Sequence, residues 1–202
     1  MLAALDHYPI HHPAITRLVH DWAFLLVQSA LYAHAIPLLQ ASIPQITRPE
    51  IELLSWGTLA SAAAGAARRE LYEEAVLHVV NLASRSQEYA AAALAHAAYG
   101  ALFFSSWESG QVLAARALEI ALRKGEKEAE HWIREILTRI EARSVPPPQA
   151  EPPEGNRIVK ISDRILNLLE ARQRPTRRPV QVDPEKDASG PSVPARAVAT
   201  EI

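Results

Sequence analysis

Apolar residues recur at helical spacing between residues 13 and 143, and the pattern breaks beyond that point. Ile15, Leu18, Val19, Trp22, Leu25 and Leu26 share one face of a first helix, with Pro13 suited to its opening turn. Pro44 closes a second helix, predicted from about Leu31 to Ser42, which Pro37 is expected to disturb. Thr47, Pro49 and Glu50 predict a capping-box-like start for a third, with Thr47 as N-cap and Glu50 reaching back. Ser86 and either Ser106 or Ser109 are candidate caps for later helices. Gly125 separates a helix over Ala114–Lys124 from one over Glu126–Ala142. No segment alternates with period two for long enough to make a strand. The chain is therefore expected to be all-α, with about seven helices paired antiparallel through short turns.

A ladder of small and aromatic residues runs through the same region. Ala23, Tyr32 and Ala35 form one rung, Ala63, Tyr72 and Ala75 the next, and Ala98, Trp107 and Gly110 the third. Within each rung the steps are nine and then three residues, and the aromatics lie forty and then thirty-five residues apart. Periods of this length mark stacked helix pairs, in which small residues admit close helix contact and an aromatic fills the gap.

The stretch from Leu94 to Leu122, with Ala98, Trp107, Gly110 and the Ala-Leu run after it, resembles a tetratricopeptide repeat. Leu59, Ala63, Leu71, Tyr72, Ala75, Val79 and Leu82 repeat the pattern, and Val19, Trp22, Ala23, Tyr32, Ala35 and Leu39 supply a first copy. The resemblance covers residues 13–143, with the last helix as a cap. It implies a short solenoid whose groove is lined by the first helix of each pair. Placed on this chain, the groove positions are Arg17, His20, Phe24, Val27 and Gln28, then Gly57, Ala60, Ala64, Ala67 and Arg68, then Ala92, Ala95, Tyr99, Leu102 and Phe103. Such a surface suits an amphipathic helix or an extended apolar peptide. The family's carboxylate clamp, which needs Lys and Asn in the groove, has no counterpart. The same apolar positions also fit an alanine-rich bundle in which Phe24, Tyr99 and Phe103 simply pack.

Composition narrows the function classes. The 202 residues carry a net charge of -2 and a pI near 6.5, giving no global attraction to nucleic acid or anionic membrane. No cysteine is present, so disulfides and thiolate metal sites are excluded, and a reducing cytoplasm fits. The N-terminus lacks a basic-then-apolar leader pattern. The most apolar stretch, Trp22 to Leu39, is interrupted by His34 and Pro37, which predicts two buried helices and not a membrane span.

Eight histidines are the residues most suited to metal or acid–base chemistry. Asp6, His7, His11 and His12 cluster in a Pro-flanked segment, and no second cluster completes a metal site. His20, His34, His78, His96 and His131 fall about one to a helix and are expected to pack or cap. Glu73 and Glu74 fit a solvated helix start. No phosphate loop, nucleophile elbow or HExxH motif occurs. The expectation is a non-catalytic protein without metal or cofactor.

Beyond Arg143 the chain divides into a Pro-rich linker over residues 144–157, an amphipathic helix over 158–173 and a disordered tail over 174–202, while residues 1–12 form a flexible leading segment. Ile158, Ile161, Ile165, Leu166, Leu168 and Leu169 make the stripe of that segment, and its helix is predicted from roughly Ser162 to Arg172 with Ser162 and Asp163 as N-cap. A helix this short needs a partner, either its own repeats or another protein. Arg172, Arg174, Arg177 and Arg178 follow; without aromatic neighbours they predict a solvated linker, and at most weak nucleic-acid contact. The sequence thus predicts a cytoplasmic adaptor or assembly factor binding a protein partner. The alternatives are a regulator in a transcription or signalling system and a self-associating structural subunit.

Overall fold

The computed structural model describes residues 7–9, 11–152 and 156–173. Among these, every regular element is helical: α1 Pro13–Gln28, α2 Tyr32–Ser42, a 3₁₀ turn Ile43–Gln45, α3 Pro49–Gly65, α4 Arg69–Ala83, α5 Ala90–Phe103, α6 Trp107–Lys124, α7 Lys127–Glu141 and α8 Arg157–Gln173. Seven helices thus fill residues 13–143 and the eighth follows the proline linker.

Local chemistry accounts for most boundaries. Pro13 and Pro49 open α1 and α3, where a missing N–H costs nothing, and His12 Nδ1 accepts a bond from Ala14 N. Two predicted caps are displaced. Arg48, and not Thr47, precedes α3, and Glu50 pairs with the Arg48 side chain and its own backbone N–H instead of reaching back to Thr47. Ser162 lies inside α8, because Asn156 caps that helix by accepting from Ile158 N at 2.8 Å. Nor does Pro37 disrupt α2; it sits in the second turn and forfeits only the bond to Ala33 O.

Each helix from α1 to α7 packs on its sequence neighbour, and α1, α3, α5 and α7 also pack on one another in succession. The odd helices end alike. Ala30, Ala67, Ser105 and Arg143 all take left-handed φ, of 55°, 58°, 53° and 49°, at intervals of 37, 38 and 38 residues. After each, a backbone N–H reaches back five residues: Leu31 to Leu26 O, Arg68 to Ala63 O, Ser106 to Ala101 O and Ser144 to Arg139 O. This recurrence is more regular than the aromatic ladder, since Tyr72 lies five residues past its turn while Tyr32 and Trp107 lie two past theirs.

The centre of the molecule is made of small residues. α3 and α5 are buried on nearly every side, and they approach so closely that a Cβ on Gly57 would lie 2.7 Å from Ala93 Cα. α7 buries one stripe, Ile133, Ile136 and Ile140, and leaves its charged face to solvent. α8 returns to the other end of the stack and packs on α2. Ile165 and Leu169 are buried there, and Trp22 Nε1 donates to Ser162 Oγ at 2.9 Å. The linker makes this return possible, with Ala150 N donating to Ala30 O and Gln149 Oε1 accepting from Ala33 N. Among the described residues no helix is long and apolar enough to cross a membrane.

Candidate cleft on the inner faces of the odd helices

Arg17, His20, Asp21, Phe24 and Gln28 recur at three- and four-residue steps and so share one face of α1. With Leu54 of α3, Tyr89, Ala92 and His96 at and within α5, and Glu126–Ala129, Trp132 and Glu135 at and within α7, they enclose a cleft of about 1040 Å³. A smaller cavity of about 180 Å³ adjoins it, lined in part by Val27, Tyr32, Ser61, Tyr99, Arg139 and Pro147. Gln28, His96, Trp132 and Glu135 line both and form the junction between them.

The floor of the cleft is polar and closely bonded. His20 Nε2 lies 3.1 Å from Thr58 Oγ1, whose hydroxyl donates to Leu54 O, and His20 Nδ1 lies 3.1 Å from Asp21 Oδ1. That contact, with help from Arg17 at 2.9 Å, holds the Asp21 carboxyl below the usual carboxylate range. Residues 20, 58 and 96 lie on three successive odd helices, 38 residues apart.

His96 is 4% exposed, and burial pushes its pKa down to about 3, with the neighbouring His20 adding to the effect. The ring is therefore neutral at physiological pH. Ser61 Oγ donates to His96 O at 2.9 Å and so accepts from His96 Nδ1 at 3.1 Å, which leaves Nε2 with only a lone pair. By distance alone Ser61 and His96 look like a nucleophile and its base. The Ser61 proton is committed to a carbonyl, however, and burial disfavours the imidazolium that would form on taking it.

Aromatic rings flank this histidine. Phe24 meets His96 edge-on at 5.5 Å, His20 lies parallel to Phe24 at 6.4 Å, and Trp132 meets His96 at 4.6 Å. Phe24 is 36% exposed, a large apolar surface for a residue lining a cleft. Deeper in, Tyr32, Tyr99 and Phe103 make a chain of edge-to-face contacts, and burial pushes the Tyr32 hydroxyl up to about 12.

The residues expected from the sequence to line a groove are only partly brought together. Arg17, His20, Phe24, Gln28 and Ala92 lie in the large cleft, and Val27 and Tyr99 in the small cavity. Gly57, Ala60 and Ala64 are buried, as are Ala95 and Leu102. A Cβ on Gly57 would meet α5, and Ala60 O lies close to Gly100 of that helix. Ala67 and Arg68 are exposed in the α3–α4 turn, while Phe103 is half-buried against Tyr32 and Tyr99. In the tail helix Ile165 and Leu169 are fully covered, and Ile161, Leu166 and Leu168 are half-buried on the core. Arg172 donates to Tyr8 O, whereas Arg174, Arg177 and Arg178 lie outside the described residues, as does Asp6.

Sequence reasoning did not single out Trp132, Glu135 or Tyr89, and it treated His96 as a packing residue. A polar side chain inside the alanine run of α5 was the signal available. No group of three His, Cys, Asp or Glu among the described residues is placed to hold a metal ion. Searches of family models, curated proteins and solved structures found no match for this chain.

Proposed function

We propose that the protein is a non-catalytic adaptor or assembly factor of the cytoplasm, a short tetratricopeptide-like helical stack that receives a helix or extended peptide of a partner protein. The observation that carries this reading is the open cleft on the inner faces of α1, α5 and α7, with Phe24 exposed in its wall and a volume of about 1040 Å³. Clefts of this size take side chains of a docked segment, with hydrophobic contacts for affinity and a few polar groups for register. The succession of contacts among the odd helices and the near-constant interval between their left-handed turns support a repeat architecture. A regulatory role in transcription or signalling would use the same cleft with a different partner. Self-association through the tail helix has less support, because Ile165 and Leu169 are occupied within the chain.

Quantitative affinity capture with the full chain and with Phe24→Glu tests the reading. A discrete protein should be recovered with the native chain and depleted by the variant, while both chains melt at similar temperatures. Identical recoveries from the two chains overturn the assignment of the cleft.

A further inference from the structure

We propose that the segment received by the cleft is a cationic amphipathic helix, which sets one lysine or arginine side chain among Phe24, His96, Trp132 and Glu135. This rests on the cleft being the binding face, and it adds the sign and chemistry of the ligand.

The charges lining the cleft are unequally committed. Arg17 is held by Asp21 and lies over the Tyr89 ring, and Lys127 is held by Glu130. Among the carboxylates, Glu128 has no ion pair among the described residues, and Glu135 meets only His131, at 3.6 Å. Both are exposed. An incoming cation therefore finds carboxylates that no lysine or arginine already holds, whereas the two cations lining the large cleft, Arg17 and Lys127, are both paired, and Arg139 lies in the adjoining cavity. The junction adds geometry to charge. Phe24 and Trp132 present aromatic rings, whose faces attract ammonium and guanidinium groups. Between them the neutral His96 offers Nε2 as an acceptor, matched to an N–H donor and mismatched to a carboxylate oxygen. The rest of the incoming helix needs an apolar face, for which the exposed Phe24 and the wall residues Leu54, Ala92 and Ala129 are suited.

The test uses synthetic helices of about 18 residues, leucine with lysine at helical spacing against leucine with glutamate, titrated onto the full chain at about 0.1 M salt. The leucine–lysine helix should bind at least about tenfold more tightly, and Glu128→Lys combined with Glu135→Lys should reverse the preference. Both substituted positions are exposed, so the variant should keep its melting temperature. Equal affinities, or a preference for the glutamate helix, overturn the cation assignment and leave the cleft as a binding face. If neither helix binds, both readings fall. A third series replaces Arg174, Arg177 and Arg178 by glutamine in the full chain. If lysine-helix affinity then rises about tenfold or more, the chain's own arginines occupy the cleft and the partner assignment is overturned; an unchanged affinity supports it.

Discussion

The ring of Tyr32 on α2 lies where a side chain at Gly65 of α3 would be, within 2.4 Å of the position a Cβ would take. The relation recurs one step along, where Tyr72 of α4 lies 2.7 Å from the corresponding point on Gly100 of α5. Two of the three ladder aromatics thus face a glycine on the next odd helix, and the two close approaches set the spacing of the stack. Tyr72 is also tied across, its hydroxyl donating to Ala97 O at 3.1 Å.

Gly65→Ala should therefore destabilise the protein by about 1–3 kcal/mol, although alanine is the better helix former by about 1 kcal/mol. Gly57→Ala should be at least as costly, since its nearest contact is Ala93 backbone, which cannot turn aside as a ring can. Urea unfolding of the two variants measures both. Neutral or raised stability in either would mean that these helices sit farther apart in solution.

The left-handed turns make a paired prediction. Gly125, at φ 69°, has nothing within 4 Å of a would-be Cβ, so Gly125→Ala should cost about 1 kcal/mol through backbone conformation alone. Ala67 has φ 58° and is exposed, so Ala67→Gly should raise stability by about 0.5–1 kcal/mol. Opposite shifts in thermal midpoint are expected from the two changes. Shifts of the same sign would contradict the backbone account.

Those turns also explain what could be read from the residues and what could not. Helix existence was legible because Pro13, Pro49 and Gly125 punctuate strong 3.6-residue patterns. The 37–38-residue interval was obscured because its turns carry Ala30, Ala67, Ser105 and Arg143, where glycine is the usual marker. Half of the cleft was legible, as α1 has one polar-aromatic face that is not needed for packing. The other half was not. Gly57, Ala60 and Ala64 are small enough for a groove floor or a helix contact, and only the closeness of α3 to α5 decides between them. Trp132 was hidden by adjacency to Ile133, since burial pattern alone does not say which of two neighbouring large residues turns toward a cleft.

The buried histidine sets a pH dependence. In the unfolded chain His96 gains a proton near its ordinary 6.5, but in the folded chain only near about 3. Unfolding therefore takes up a proton throughout that window, and stability falls as pH is lowered through it, by up to about 1.4 kcal/mol per pH unit. Above the ordinary value the residue contributes no slope. Denaturation midpoints at about pH 7.5, 6 and 5 should decline for the native chain and decline less for His96→Asn, which keeps a donor for Ser61. Equal slopes would show that His96 is solvated enough to titrate in the folded state.

The return of α8 predicts local and not global consequences. Its contacts are confined to one end of the stack: Ile165 and Leu169 against the core beside α2, Ser162 against Trp22, and Arg172 on Tyr8 O. Ile165→Asp buries an unpaired carboxylate there, and releasing the helix costs less than accommodating the charge. Amide exchange should accelerate across residues 157–173 while α3, α5 and α6 keep their protection. Trp22→Phe removes a single hydrogen bond and should loosen the same segment more mildly, by about 1 kcal/mol. If Ile165→Asp instead unfolds every helix together, α8 is an integral part of the core. Unchanged exchange in residues 157–173 would mean that the helix is not docked in solution, and its apolar stripe would then be free for another protein.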